Sequence, residues 1–235
     1  MSNFTERHHA FISAIFYKIM KEENYSNFRT AFKMAVQRYA QQRGGRMAQR
    51  AIRDNRPLDF SSYRYYGEWV PTPQSLAENP NPETSAERTE EGKDLKTKIN
   101  FCPWSLQYLD MSLLDGADDY CEVLDVNLAR GFNPNLVFEV PKTMHANRDH
   151  CIQYQRDAKF GNEQAYGPKD PNNQKSFEYH CAHVYKTFSE LMIAIYKQKG
   201  LTLNAKVLEA FAASYGQQMA DKLLEYRNYD FNYID

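Results

Sequence analysis

The segment FCPW places Cys102 directly before Pro103, an arrangement that suits a nucleophilic thiol. Proline is favoured in the first turn of a helix, so we expect a helix to begin there. A thiol at a helix N-terminus has a lowered pKa, because the helix dipole and the free N–H groups stabilise the thiolate. The alternative is that Cys102 is a small buried hydrophobic residue, and the sequence leaves both interpretations open.

The segment YCEVLD brings a second thiol close to two carboxylates. Interpreted as a strand, it puts Cys121, Val123 and Asp125 on one face. An aspartate at the end of an apolar face is costly to bury unless it has a partner or a chemical role. Asp125 is therefore a candidate general acid or base, although a structural hydrogen bond to a nearby loop is the commoner explanation.

Six side chains in the second half of the chain raise the question of a metal: His145, His150, Cys151, His180, Cys181 and His183. Neutral histidine and cysteine thiolate are the usual zinc ligands, but their spacing here fits no closed site and no CxxC pair occurs. The best pair is His180 and His183, and two ligands do not make a site. We therefore predict no metal and no cofactor, and a zinc site is the alternative.

Arginines are concentrated between residues 38 and 53. The simplest interpretation is a solvated basic face of a helix. The sharper one is that one of these arginines binds a substrate carboxylate, which the planar guanidinium fork matches well.

Composition narrows the class of protein. The 235-residue chain has 29 Lys and Arg against 30 Asp and Glu, a net charge of −1, which argues against binding nucleic acid or a membrane surface by charge. The motifs GxGxxG, GxSxG and HExxH are absent, which removes support for nucleotide, serine-hydrolase and zincin chemistry.

No apolar stretch is long enough for a membrane span and no secretory signal opens the sequence, so we expect a cytoplasmic protein with reduced cysteines. Near-neutral charge and the lack of a long heptad repeat leave homo-oligomer formation open.

The elements that must position these residues begin with a helical part over residues 5–56. Apolar residues recur at spacings of three and four after Thr5, which is a suitable N-cap. A second helix should begin after Ser26 and break at Gly44–Gly45. The aromatic segment at residues 63–69 favours strand or irregular structure.

The sheet region is predicted at about residues 100–157. Before it, residues 71–87 are rich in proline and polar residues without an apolar period, which indicates a long loop. The segments CEVLDV, NLVFEV and HCIQYQ are short and β-rich, and we predict them as three antiparallel strands. The alternative for the first is a helix over residues 118–130. A second polar loop is predicted at residues 159–175.

Two long helices, over about residues 177–199 and 204–227, are predicted to close the chain. The predicted fold class is thus α+β: mostly helical, with a small antiparallel sheet in the second half flanked by N- and C-terminal helices. We predict a single domain over residues 1–235.

Several of these segments, in this order, resemble the L-2-amino-thiazoline-4-carboxylic acid hydrolase family. They are HHA at residues 8–10, RGGRMAQRA from Arg43, YGEW from Tyr66, FCPW, YCEVLD, ARGFNPNL, and finally Lys142, Asp149 and Cys151. The resemblance covers residues 8 to about 157. It implies hydrolysis of a non-peptide C–N bond that opens a cyclic amidine or isothiourea, such as L-2-amino-thiazoline-4-carboxylate, to N-carbamoyl-L-cysteine.

This resemblance also implies roles for individual residues. The ring carbon between nitrogen and sulfur is electrophilic, so either a thiolate or an activated water could attack it. Cys102 is then the predicted nucleophile and Asp125 the acid–base group, with Cys121 as second choice of nucleophile. Arg43 or Arg46 would hold the substrate carboxylate. The remaining predicted substrate-binding residues are His9, Glu68, Trp104, Asn127 and Lys142.

A second resemblance keeps a different class of function open. The same order of segments is distantly similar to vinyl-4-reductase-type small-molecule-binding domains. This implies a sensory domain without catalysis, with zinc held by Cys121, Cys151 and a carboxylate. A third interpretation is an enzyme of the hydrolase family that acts on an unrelated C–N bond. For the hydrolase, the expected partner is a small molecule bearing a carboxylate.

Overall fold

The computed structural model describes residues 4–84, 86–147, 149–158 and 169–234. Over these residues the chain is mostly helical, with a small four-stranded antiparallel sheet in the middle and helices at both ends. The predicted α+β class is therefore confirmed. The helices are α1 (Glu6–Glu22), α2 (Phe28–Arg53), α3 (Phe60–Tyr65), α4 (Pro73–Glu78), α5 (Pro103–Asp110), α6 (Leu114–Phe132), α7 (Met144–Asn147), α8 (Phe177–Tyr196), α9 (Gln198–Tyr215) and α10 (Gln217–Glu225). The strands are β1 (Ala86–Glu91), β2 (Asp94–Ile99), β3 (Phe138–Lys142) and β4 (Cys151–Gln155).

The chain divides into two compact units, each made of separate segments. The first unit consists of the described residues within Met1–Tyr39, Pro103–Tyr120 and Ser176–Tyr229. The second unit consists of those within Ala40–Cys102, Cys121–Lys175 and Asp230–Asp235. The single domain over residues 1–235 stays a prediction.

The first unit is a helical assembly around aromatic side chains. Helix α1 begins as predicted after Thr5, whose backbone N–H donates to His8 Nδ1 at 3.0 Å. Its predicted apolar stripe is buried, and the ring of Phe16 lies 5.4 Å from that of Phe188 on α8. The C-terminal part contains three helices, α8, α9 and α10. Gly216, which has φ +95°, separates α9 from α10. The predicted helix over residues 204–227 is therefore two helices.

Helix α2 runs without a break through Gly44–Gly45, so the predicted interruption is wrong. Gly44 allows two helices to pack closely instead, since a Cβ on Gly44 would lie 2.1 Å from the carbonyl oxygen of Leu128 on α6. On the opposing helix, a Cβ on Gly131 would lie 2.6 Å from the carbonyl oxygen of Gln41. The two glycines let the backbones of α2 and α6 touch within the second unit.

The segment CEVLDV lies inside α6, so the predicted strand is wrong and the alternative helix over residues 118–130 is confirmed. Leu124 and Leu128 lie one turn apart and pack in one cluster with the second half of α2, which a strand could not provide at this spacing. The other two predicted strands are confirmed as β3 and β4, which pair antiparallel.

The sheet has the order β1-β2-β4-β3, and the sequence analysis missed the hairpin β1–β2. This hairpin turns at Gly92, which has φ +69°. Strand β1 is almost entirely exposed, so its residues carry no alternating apolar pattern. The sheet therefore starts before the predicted boundary at residue 100.

Two predicted irregular segments contain helical turns. Within residues 71–87 lie α4 and a 3₁₀ turn at Pro82–Thr84, and β1 begins at residue 86. Helix α3 covers the start of the aromatic segment 63–69, capped by Asp59, whose carboxylate accepts from Ser62 N. Of the predicted loop 159–175, residues 159–168 lie outside the described residues. Along the described parts of the chain, none of the helices has both the length and the apolar character that crossing a membrane requires.

Candidate active site

A cysteine and a histidine from two helices of the second unit form the centre of the candidate site. Cys121 Sγ, on α6, lies 3.1 Å from Nε2 of His145, on the short helix α7. The histidine is buried and the cysteine is partly exposed. An imidazole at this distance can take the thiol proton, and the thiolate that remains is the reactive form of cysteine.

Asp125 follows Cys121 by one helical turn, so both side chains lie on the same face of α6. The predicted strand also put the two side chains on one face, because alternate residues of a strand share a face. Asp125 Oδ2 accepts a hydrogen bond of 2.8 Å from Gln153 Nε2 on β4. Burial raises the pKa of Asp125 to about 6, while the charge of Arg43 and the Gln153 hydrogen bond act in the opposite direction. A carboxyl group with this pKa can both give and take a proton near neutral pH.

Strand β4 supplies a second thiol to the same region. Cys151 and Gln153 are two residues apart and so share a face of the sheet. Cys151 Sγ accepts a hydrogen bond of 2.9 Å from the backbone N–H of Met144, the residue before His145. Burial raises the pKa of the Cys151 thiol, and the nearby Asp125 charge adds to this effect. Cys151 is therefore the less reactive of the two thiols.

Tyr63 and Arg43 complete the polar surroundings of Asp125. Burial raises the pKa of the Tyr63 phenol above its usual range, and the Asp125 charge adds to the rise. The charge of Arg43 opposes both effects, on the tyrosine and on the aspartate. Arg43 is itself buried, and its Nε lies 3.9 Å from Glu68 Oε2. A buried cation thus lies close to the candidate acid–base group.

Glu68 and Arg46, both predicted to bind substrate, contact each other. Glu68 is fully buried and binds Arg46 through both oxygens, at 2.9 Å and 2.6 Å. Arg50 Nη1 donates to Glu68 Oε1 at 2.8 Å, and Arg46 Nη1 also donates to the carbonyl of Phe231. This network fixes the middle of α2 to the segment after α3.

The other predicted site residues are distributed over both units. Cys102 directly precedes α5, which confirms the expected helix at Pro103, and its side chain is partly exposed. His9 and Trp104 belong to the first unit, where Trp104 Nε1 donates to His9 Nδ1 at 3.0 Å. In the second unit, Asn127 donates to the backbone carbonyl of Val123 within α6. Lys142 Nζ lies 3.0 Å from Asp149 Oδ2 and 3.2 Å from His150 Nε2.

Of the predicted residues, the structure brings Cys121, Asp125 and Arg43 into one region. Sequence reasoning missed the roles of Gln153 and Tyr63, and it considered His145 only as a metal ligand. No local sequence pattern identifies Gln153, Tyr63 or His145 as site residues, because only tertiary packing brings them close to Cys121 and Asp125. Concerning the zinc alternative, the described part of the chain contains no group of three or more His, Cys, Asp and Glu side chains placed to hold a metal ion.

The chain matches a known protein family over more than half of its length. The family model described as L-2-amino-thiazoline-4-carboxylic acid hydrolase matches residues 4–153. No curated protein and no solved structure matches the chain. Cys121, Asp125, His145 and Gln153 all lie within the matched range.

Proposed function

Since the chain belongs to the L-2-amino-thiazoline-4-carboxylic acid hydrolase family, we propose that it opens a cyclic isothiourea by hydrolysis. The proposed substrate is L-2-amino-thiazoline-4-carboxylate and the proposed product is N-carbamoyl-L-cysteine. The observation that carries the proposal is the distance of 3.1 Å between Cys121 Sγ and His145 Nε2, with Asp125 one turn further along α6. The proposal moves the nucleophile from Cys102 to Cys121, because an imidazole lies within hydrogen-bonding distance of the Cys121 sulfur.

In the first step, the Cys121 thiolate attacks the ring carbon between nitrogen and sulfur. A bond forms between this carbon and Sγ, and the ring carbon–sulfur bond breaks. His145, which took the thiol proton, returns it to the departing ring sulfur. The intermediate is an isothiourea bound through Sγ, and the opened chain carries a free thiol.

In the second step, a water molecule hydrolyses this intermediate. Ionised Asp125 takes a proton from the water as its oxygen bonds to the carbon, and the Cys121 thiolate leaves. One hydrogen of the water ends on the amino group of the product, and the other restores the Cys121 thiol. The net change is the addition of one water. With this product the broken ring bond is carbon–sulfur and the ring nitrogen is kept, so the C–N bond expected from the resemblance is not the one cleaved.

The surroundings of Asp125 support its role as a base for water. With a pKa of about 6, the carboxyl group is mainly ionised at pH 7 yet remains a stronger base than an exposed aspartate. The Gln153 amide holds one carboxylate oxygen, which leaves the other oxygen to contact water. Gln153 is thus a positioning residue in the proposed mechanism.

The test is turnover of L-2-amino-thiazoline-4-carboxylate by the purified full chain, followed by mass spectrometry. We expect a product heavier than the substrate by one water, with turnover abolished in Cys121→Ala and reduced about 100-fold or more in His145→Gln. Cys102→Ala is the matched control and should retain turnover. A Cys121→Ala variant that folds and keeps full turnover would overturn the covalent mechanism. A folded wild-type protein without turnover would overturn the proposed substrate and favour the binding-domain interpretation.

A further inference from the structure

Helix α6 lies on one face of the sheet in the second unit. Asp125 accepts the hydrogen bond from Gln153 on β4, and one helical turn later Ala129 packs in a cluster with Phe138 of β3. Phe138 is paired with Gln155, the next residue of β4 on the Gln153 face. One helical turn and two strand residues both advance by about 6–7 Å. Successive turns of α6 therefore face successive rows of side chains across the sheet.

The row that faces Asp125 contains Thr97 as well as Gln153. Thr97 on β2 is directly paired with Gln153 on β4, so the two side chains share a face and their Cβ atoms lie about 5 Å apart. Cys121, Asp125 and Gln153 each keep part of their surface open to solvent, so water can reach this row. Thr97 is thus a direct neighbour of the amide that holds the candidate acid–base group.

The Thr97 hydroxyl has no hydrogen-bond partner among the residues that the structure describes, although Thr97 is only 7% exposed. A buried polar group without a partner costs free energy. Valine has nearly the same shape, fits a strand equally well and would avoid this cost. A partnerless hydroxyl next to Asp125 therefore indicates that a bound molecule, rather than the protein, supplies its partner.

We propose that Thr97 positions the water molecule that hydrolyses the intermediate on Cys121. This inference rests on the proposed function, since it concerns the second step of the same reaction. As the water attacks, a lone pair of its oxygen must point at the carbon bound to Sγ, so both of its hydrogens must point elsewhere. The Asp125 oxygen that Gln153 does not hold takes one hydrogen as a proton, and Thr97 Oγ1 accepts a hydrogen bond from the other. Thr97 exchanges no proton, so the balance of the reaction is unchanged.

The experiment follows the Cys121 adduct through a single turnover. The full chain is mixed with less than one equivalent of L-2-amino-thiazoline-4-carboxylate, quenched with acid at intervals and digested for peptide mass spectrometry. In Thr97→Val we expect the adduct to form at the wild-type rate, because Thr97 has no role in the first step. The adduct should decay about 10-fold more slowly or more, since the water has lost one hydrogen bond. Thr97→Ser restores the hydroxyl and should return the decay close to the wild-type rate.

Thermal unfolding separates this role from a structural one. Because the Thr97 hydroxyl has no partner in the described protein, Thr97→Val should unfold at the wild-type temperature or slightly above it. Thr89→Val is the matched control: Thr89 is exposed and follows Arg88, the residue of β1 that is paired with Thr97. Thr89 therefore lies on the opposite face of the sheet, and its replacement should leave both rates unchanged.

The two rates distinguish this proposal from the proposed function. If the adduct forms and Thr97→Val hydrolyses it at the wild-type rate, or slows both steps equally, only the role of Thr97 is overturned. A Thr97→Val protein that does not fold would show that the hydroxyl is structural and would also contradict that role. Turnover with no adduct on Cys121 in wild type or in Thr97→Val would overturn the covalent mechanism itself, and the role of Thr97 with it.

Discussion

Cys121 Sγ lies 3.1 Å from His145 Nε2 although the two residues are 24 positions apart in the chain. The contact depends on α6 being a helix, because α6 carries Cys121 and Asp125 on one face. It also depends on the short helix α7, which is joined to β4 by the hydrogen bond from Met144 N to Cys151 Sγ. A thiol, an imidazole and a carboxyl group with a raised pKa thus meet in the second unit.

The reactivity of Cys121 should depend on His145. At pH 7 we expect iodoacetamide to label Cys121 faster than Cys151 and Cys181, since burial raises the pKa of these two thiols. Replacing His145 with Gln should slow Cys121 labelling about 10-fold or more, because the base that takes the proton is gone. Peptide mapping by mass spectrometry measures each rate. Equal labelling of Cys121 in the two proteins would contradict the pairing.

The stability of the protein should depend on pH through Asp125. Its pKa rises from 3.8 in the unfolded chain to about 6 in the folded protein, so the folded state binds more protons between these values. Stability therefore falls as pH rises through this window and stays lower above it. Asp125→Asn has no carboxyl group to ionise, so it lacks this loss. The advantage of the variant over wild type in the free energy of unfolding should grow from near zero below pH 4 to at most about 3 kcal/mol above pH 7. Urea unfolding at several pH values measures it, and an advantage independent of pH would contradict the raised pKa.

The buried arginine–glutamate network should be important for folding. Arg46→Gln leaves the buried Glu68 with fewer charge-assisted hydrogen bonds, and we expect a loss of about 3–5 kcal/mol in the free energy of unfolding. Arg53→Gln, on the exposed end of the same helix, is the matched control and should leave the free energy of unfolding nearly unchanged. Denaturant unfolding of both variants tests this. Similar stability for the two would mean that the network does not hold α2 in place.

The two adjacent glycines of α2 should respond in opposite ways to alanine. Gly44→Ala puts a methyl group against the Leu128 carbonyl of α6, and we expect a destabilisation of about 1–3 kcal/mol. Gly45 has no neighbouring atom within 4 Å of an added Cβ, so Gly45→Ala should stabilise the helix by about 0.5–1 kcal/mol. Thermal unfolding of the pair measures both signs. Destabilisation by both substitutions would contradict the close contact as the reason for Gly44.

The sequence predicted the helices that have a clear apolar stripe and failed where packing decides. Helix α1 and its cap at Thr5 are visible in the spacing of apolar residues. The hairpin β1–β2 is polar and exposed, so no apolar alternation marks it. Helix α6 shows both a short β-rich run and a helical spacing, and only its contact with α2 decides between them. A glycine pair usually breaks a helix, and the opposing backbone that requires Gly44 is remote in sequence.

The candidate site was predictable only in part. Asp125 was identified as the last residue on the apolar face of a predicted strand. The segment is a helix instead, but the spacing of four residues still puts Asp125 on the same face as Cys121. Cys102 was preferred over Cys121 because the helix start at Pro103 is a local signal, whereas the partner of Cys121 comes from another part of the chain. Gln153 carries no local signal, since its contact with Asp125 arises from the position of β4.

The most direct test of the proposed mechanism is to trap the covalent intermediate. Wild-type protein and Asp125→Asn are mixed with excess L-2-amino-thiazoline-4-carboxylate, quenched with acid within the first turnover, and digested for peptide mass spectrometry. The proposed mechanism predicts a peptide containing Cys121 that is heavier by the mass of the substrate, with more of it in Asp125→Asn because hydrolysis is slowed. Turnover without any adduct on Cys121 in either protein, or an adduct on Cys102 instead, would contradict it.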